Sequence, residues 1–444
     1  MAGGIALFLL LAGVVLFDRA IAQPFSHDEN QFVSAGWWLA RQGLLPYLDF
    51  PYHHMPYQIP LNALAVWLCP YILLSGRIVS WLAAWLASML LFAAVWREFR
   101  QRSRSTAWLA AGSAVAVFVS QPIVAYTTGQ AWNHDWANLL ALGAVLLQVR
   151  MIDGRFRPWL GVAVGLLAGL ATGVRLSYAV LCPLLIASAA AIPASLRTRW
   201  RNASLVLAGI AVAGLPAAIL LALDPKAFAY GNILYPELNS LYRDVLRSWS
   251  DNGLLAKLGF FGETVLAEPG NVVLLVGTLA LGVFGLTARL RDRASIHALL
   301  LVFLATVLLF MTGFAPTPAW YQYFFACVPL AILTLAMVTS RVARWKRHAL
   351  IWTSLVAVAC VLTGTWDAQI VRRLQSPETW VPIQVHRVPA AILTGLETAN
   401  EGFEPGQRGN LEEPLEALAL ELGFRREPLD APFMVTELTL WLAP

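Results

Sequence analysis

Charge is scarce in this chain: Asp, Glu, Lys and Arg together make 13% of its 444 residues, against roughly a quarter in a soluble domain. That shortage excludes a soluble globular enzyme and a disordered protein. Cysteine is almost as thin, with four residues, Cys69, Cys182, Cys327 and Cys360, widely spaced in apolar surroundings. They form no CxxC pair and no disulfide framework, and read as small core residues. Lysine occurs three times, at Lys226, Lys257 and Lys346, and no internal repeat or low-complexity stretch is evident. What fills the chain is apolar: 58% hydrophobic residues and 18 Trp. The formal charge of +5 arrives as short arginine bursts between apolar runs, not as one basic patch. This pattern excludes nucleic-acid binding and suits membrane-orienting charges.

Apolar runs of span length fall near 1–22, 76–96, 106–125, 136–150, 158–173, 178–194, 204–223, 270–288, 297–314, 323–340 and 349–365. They predict an all-α polytopic membrane protein with about eleven transmembrane helices. The first run has no basic leader segment or clear cleavage site, so it reads as a retained span. Arginine bursts follow every second span, at Arg97 to Arg104, Arg150 to Arg157, Arg197 to Arg201, Arg289 to Arg293 and Arg341 to Arg347. By the positive-inside rule these loops and the N-terminus are cytoplasmic. The first loop (23–75), a large loop (224–269) and the tail are then extracytoplasmic. The expected division is a transmembrane domain over 1–365 and a small outer segment over 366–444, with a helical run from Glu412 to Leu422 ended by Gly423.

Polar clusters gather on that outer side, where intramembrane and interfacial charge signals function. The first loop carries Asp28, Glu29 and Asp49 with His27, His53 and His54. Ser26 or Asp28 is placed to cap a helix from about Glu29 to Arg41, Gly43 to stop it, and the stretch from Tyr57 to Leu74 reads as an interfacial helix. A second island, Gln130 to Trp136, contains Asp135, for which helix capping is the competing role. Arg175, in the hairpin between the fifth and sixth spans, and Arg77 are positive charges on the side that the orientation rule keeps positive-poor, so each asks for an anionic partner. For Arg77, a headgroup contact is the competing role. The large loop adds Tyr230, Tyr235 and Arg243, and the turn before span ten adds Trp320, Tyr321 and Tyr323, residue types common in membrane-interface belts.

The run His27-Asp28-Glu29-Asn30-Gln31-Phe32, followed by Gly43-Leu44-Leu45-Pro46-Tyr47 and Asp49-Phe50-Pro51-Tyr52-His53-His54-Met55-Pro56, resembles the opening loop of GT-C glycosyltransferases. The likeness is to bacterial members of the protein mannosyltransferase and aminoarabinose transferase superfamily, and its detail covers about the first 80 residues. It implies a GT-C-like bundle and an inverting transfer of a sugar from a polyprenyl-phosphate donor to an acceptor hydroxyl on a lipid, glycan or protein. It also implies a site at the extracytoplasmic face of the bacterial inner membrane. Carried over residue by residue, Asp28 and Glu29 are the catalytic acidic pair, joined by Asp135. Arg175, Arg77 and Arg243 are candidates for the donor phosphate, and Tyr52, His53, His54, Tyr321 and Tyr323 for substrate contact. No cofactor is required by this reading and no metal ligand is assigned. Its variant is a divalent ion held by His27, His53, His54 or His134 with Asp28. The competing class is a carrier or flippase for a lipid-linked sugar without chemistry, which would be expected to show repeats, broken spans and mid-membrane charge.

Overall fold

The computed structural model describes residues 2–154, 157–193, 195–235, 253–287, 293–316, 319–341, 346–367 and 369–383. Among them the chain is helical, with no strand beyond an isolated bridge between Pro46 and Phe50. Helices α1 (Ala2–Ala22), α2 (His27–Gln42), α3 (Gln58–Leu68), α4 (Ile72–Phe99), α5 (Arg104–Ser120), α6 (Pro122–Thr127), α7 (His134–Ile152), α8 (Pro158–Val174), α9 (Leu181–Ala191) and α10 (Leu196–Leu223) come first. They are followed by α11 (Pro225–Ala229), α12 (Leu254–Phe260), α13 (Pro269–Thr287), α14 (Arg293–Met311), α15 (Val328–Arg341), α16 (Lys346–Leu362) and α17 (Ile370–Gln375). Among the described residues seven helical segments have the length and apolarity needed to cross a membrane: Gly3–Ala22, Ile72–Phe99, His134–Ile152, Leu196–Leu223, Pro269–Thr287, Arg293–Phe314 and Tyr321–Arg341. The other four positions expected to span carry shorter helices: α5, α8, the segment Leu176–Ala191, and Leu350–Leu362. Several helices start before their expected limits, α10 by the most, at Leu196, because a Ser195 cap accepts the Thr198 N–H and lets helix begin within the arginine burst.

The first loop follows its local signals closely. Ser26 caps α2, its N–H donating to the Glu29 side chain at 3.1 Å, and Gly43 ends the helix in the left-handed conformation, φ +69°. α3 packs tightly on α2: the Asn62 amide donates to the Phe32 carbonyl at 2.9 Å, and a Cβ at Gly36 would meet the Asn62 Cβ at 2.5 Å. A stripe of glycines, Gly161, Gly165, Gly169 and Gly173, runs along one face of α8. At Gly165 a Cβ would stand 1.9 Å from the Val206 carbonyl oxygen of α10. Small residues at four-residue spacing are how membrane helices bring backbones together without a hydrophobic driving force. The last of the stripe, Gly173, seats the Tyr57 ring and accepts the Tyr57 N–H at 3.0 Å, which ties the first loop to the end of α8 immediately before Arg175.

Charge sorts to the two ends of the bundle. At one end Arg341 pairs with Glu98 at 2.7 Å and with Asp153 at 3.1 Å, while Arg97 reaches Asp153 at 2.9 Å. This joins the C-terminal ends of α4 and α15 to the residue that follows α7. At the other end lie the C-terminus of α1, the N-termini of α4 and α7, and the first loop. The beginning of the tail is here too: Arg373 of α17 pairs with Asp18 at 2.9 Å and Asp367 at 2.6 Å, and Trp380 meets Phe17 edge-on. The expected helical run at Glu412 to Leu422 lies outside the described residues. Reporter fusions check the orientation: a fusion at Arg102 is expected to read cytoplasmic, and fusions at Gln42 and Gly253 extracytoplasmic. A cytoplasmic report at Gly253 would separate the large loop from Asp28 and contradict the site.

Candidate active site at the end of the bundle

The two adjacent acidic residues at the start of α2 meet different surroundings. Glu29 is fully buried against Arg77, whose Nε and Nη2 donate to the two carboxylate oxygens at 2.9 and 2.7 Å. The same carboxylate accepts the N–H groups of Ser26 and Ala131, at 3.1 and 2.7 Å. The remaining Arg77 donors go to the carbonyls of Ala20, Gln23 and Pro24 at 2.8 to 3.1 Å. Every N–H of this guanidinium is engaged. The pair is therefore a staple joining the ends of α1, α2 and α4 to the turn before α7, and the phosphate role expected for Arg77 is replaced by this one. Glu29, with its oxygens filled, likewise has no lone pair directed to a substrate. Asp28 stands one residue earlier, half-buried, on another side of the helix. Its negative charge reaches Tyr126, and together with burial, the larger cause, it pushes that phenol above its usual range.

From Tyr126 a line of rings crosses the site. Tyr126 meets Tyr321 edge-on at 5.1 Å and Trp132 at 6.1 Å, and Trp132 meets His134 at 5.7 Å. His134 opens α7, stacked beside Tyr323 with ring centroids 6.1 Å apart and 22° between planes. Arg175, the residue after α8, ends the line. Its Cζ lies 4.9 Å over the same Tyr323 ring, and its Nη1 reaches Asn133 Oδ1 at 2.9 Å and His134 Nε2 at 3.3 Å. Asn133 is itself fixed, its amide donating to the Val174 carbonyl at 3.0 Å. Arg175 is half-buried, and its Nε and Nη2 have no hydrogen-bond partner among the described residues. Residues along this line carry buried polar atoms equally without partners among the described residues: Trp132 Nε1 and the Tyr178 and Tyr52 hydroxyls. Natural proteins rarely leave such groups unpaired, and each then points to water, an ion or a ligand.

Asp135 is buried, and its carboxylate accepts the Gly129 N–H at 3.1 Å. Gly129 is left-handed, φ +86°, and a Cβ there would meet Ala20 Cβ at 2.7 Å. Asp135 thus holds the turn that presents Trp132 to His134, while Asn133, not Asp135, is the capping position of α7. In the sequence Asn133 was visible only as a member of a polar island, and His134 as that and as a candidate ligand of a divalent ion. The signal that singles them out is positional: they are the capping and first residues of α7, brought against Arg175 at the end of α8.

The first loop closes the site from the other side. Tyr47 takes a left-handed backbone, φ +69°, its N–H donating to the Phe50 carbonyl at 2.9 Å and its hydroxyl to the His54 carbonyl. Asn232 of the large loop donates to the same hydroxyl at 3.1 Å. His54 stacks on Phe32 at 4.8 Å and meets Tyr52 edge-on at 6.1 Å, and His53 stacks on Tyr235 at 3.9 Å. Between the turn and the large loop lies a cleft of about 250 Å³ lined by Tyr47, Leu48, Asp49, Phe50, Pro51, Tyr52, Ala227 and Tyr230. Tyr321 is held by the Asn271 amide at 2.7 Å. Arg243 lies outside the described residues.

Burial, then the nearby Arg175 charge and His53, pull the His54 imidazole down to about 3, and burial lowers His53 as well. A histidine near 6.5 in the unfolded chain and depressed when folded stabilises the fold fully above about pH 6.5, and that stability is lost as pH falls toward 3. Lowering the pH from 7 to 5 is therefore expected to reduce thermal stability more in the native protein than in His54→Phe, by on the order of 1–2 kcal/mol. Equal losses in the two would contradict the neutral, enclosed imidazole.

Among the described residues no three His, Cys, Asp or Glu side chains converge as a metal site.

No protein-family model and no curated protein sequence matches the chain. Solved structures do. The chain is similar to ArnT from Cupriavidus metallidurans bound to undecaprenyl phosphate, at 15% identity and a TM-score of 0.54, the alignment covering 100% of this chain and 75% of that one. It is also similar to the Archaeoglobus fulgidus oligosaccharyltransferase in complex with Zn and sulfate, at 15% identity and a TM-score of 0.49, covering 82% of this chain and 54% of that one. The helical architecture of the described residues, with the helices α2 and α3 between α1 and α4 and its likeness to ArnT along the whole chain, is a GT-C-like fold.

Proposed function

We propose that the protein is an inverting glycosyltransferase that moves a sugar from a polyprenyl-phosphate donor to an acceptor hydroxyl, at the extracytoplasmic face of a bacterial inner membrane. The observation that carries this reading is Arg175: a half-buried guanidinium, oriented by Asn133 and His134, with two nitrogens unengaged among the described residues. Such a group in a partly dry site binds phosphate oxygens more strongly than a surface arginine does. The likeness to ArnT, solved with undecaprenyl phosphate, supports a lipid phosphate as the anion.

Asp28 is the general base of this reading. The acceptor hydroxyl gives its proton to the Asp28 carboxylate as its oxygen bonds to the anomeric carbon. The bond from that carbon to the phosphate oxygen breaks on the opposite face, and the electron pair leaves with the phosphate, whose added negative charge Arg175 receives. Configuration inverts because attack and departure occur on opposite faces. Tyr321 and Tyr323, with Tyr126 and Trp132, offer ring faces to the donor sugar. The cleft beside Tyr52 and Asp49 suits the acceptor: at about 250 Å³ it is below the roughly 300–1,000 Å³ of drug-sized sites and admits one ring rather than a longer glycan.

Arg175→Ala is expected to weaken donor affinity about 10- to 100-fold, the size of a lost charge-assisted contact, and Arg175→Lys less. Donor affinity measured by titration in detergent checks this. Unchanged affinity in Arg175→Ala would remove the phosphate assignment.

A further inference from the structure

We propose that the His54–His134 pair takes up one proton when a phosphate monoester binds at Arg175, so that the departing polyprenyl phosphate is held by two cations and the donor phosphodiester by one. This inference rests on the reading of Arg175 as the phosphate anchor and extends it to two residues with no place in the transfer step.

The geometry is specific. Arg175 Nη1 sits 3.3 Å from His134 Nε2. A guanidinium has only hydrogens to offer, so that ring nitrogen is the acceptor and the imidazole is neutral without ligand. A phosphate engaging the unpartnered Nε and Nη2 draws the guanidinium, and Nη1 with it, off the His134 ring nitrogen and leaves that lone pair beside an anion. His54 is near enough for the two imidazoles and Arg175 to act on one another electrostatically, and a proton entering the site belongs to the pair rather than to either ring. The other titratable neighbours are Tyr52, Tyr323, His53, Tyr178 and Asp135. Tyr52 meets His54 edge-on, Tyr323 stacks on His134, His53 lies under Tyr235, the Tyr178 hydroxyl is buried, and Asp135 is turned to the Gly129 amide.

The charge balance gives the consequence. The donor is a phosphodiester with one negative charge at any working pH. The product is a monoester, with a second ionisation near 6, and is largely dianionic above pH 7. Arg175 alone balances the first. The second charge offsets both the burial that disfavours a charged imidazole here and its repulsion by Arg175, and the proton comes from water. Product release then requires the proton to leave, so product inhibition deepens as pH falls from 8 to 7.

Calorimetric titration of the full-length protein with undecaprenyl phosphate at pH 7.5, in two buffers of different ionisation heat, reads the proton directly. Uptake of about half to one proton per site is expected, with none for the methyl ester of undecaprenyl phosphate, which cannot become a dianion. His134→Gln retains an acceptor for Arg175 and removes the titrating ring. It and His54→Gln are each expected to lose at least half the uptake and to bind undecaprenyl phosphate about tenfold more weakly, the equivalent of one unit of proton affinity. Tight binding with no uptake in the native protein, or uptake unchanged in both variants, overturns the pair's role and leaves Arg175 as the anchor. No binding of undecaprenyl phosphate by the native protein overturns the functional reading as well.

Discussion

Asp28→Asn is expected to lower turnover by about 100- to 10,000-fold, the usual consequence of removing a general base, while stability changes by under about 1 kcal/mol. The small stability term follows from its place. Asp28 is a half-buried residue in the first turn of α2, where a carboxylate contributes a few tenths to one kcal/mol through the helix dipole. Asparagine keeps the shape and loses only the charge and the basic oxygen. Turnover and thermal unfolding measured on the same preparation separate the roles. A stable variant with near-normal turnover would show that Asp28 only supports the helix start.

The neighbouring substitution has the opposite signature. Glu29→Gln removes the counter-charge of Arg77 at a position where both side chains are fully buried, and breaking one partner of a buried ion pair typically costs 3–5 kcal/mol because the other charge remains. The loss spreads, since the Glu29 carboxylate also receives the Ser26 and Ala131 N–H groups and thereby ties α2 to the turn before α7. The expected result is a large fall in melting temperature in detergent, with donor affinity retained in the fraction that stays folded. A Glu29→Gln protein of native stability that has lost turnover would transfer the catalytic role from Asp28 to Glu29.

The sequence carried the fold at the level of elements because a bilayer leaves few options: an apolar run must be helical, and charge must collect at its ends. Ser26 and Gly43 marked the ends of α2 correctly, and Arg97 and Arg341 meet at one end of the bundle as their alternation implies. The site was less legible. Asp28 and Glu29 are chemically alike and adjacent, and what separates them is a turn of about 100° around α2. That turn sends Glu29 toward Arg77, 48 residues away, a pairing composition does not reveal. Arg77 and Arg175 share the signature of an outer-side arginine. One is consumed by three backbone carbonyls and a carboxylate, the other by one amide oxygen and a ring nitrogen. The glycine stripe of α8 was present in the sequence at four-residue spacing, and its meaning appears only with α10 packed against it and Tyr57 seated at its end.

The central claim, a lipid phosphate anchored at Arg175, is tested most directly by mass spectrometry of the lipids that remain on the protein after gentle detergent extraction and purification. The account predicts polyprenyl phosphate or its glycosylated form on the native protein and on Asp28→Asn, at near one per chain, and its loss from Arg175→Ala at equal yield and stability. A native protein carrying only bulk phospholipid, or an Arg175→Ala protein that retains the polyprenyl phosphate, would contradict it.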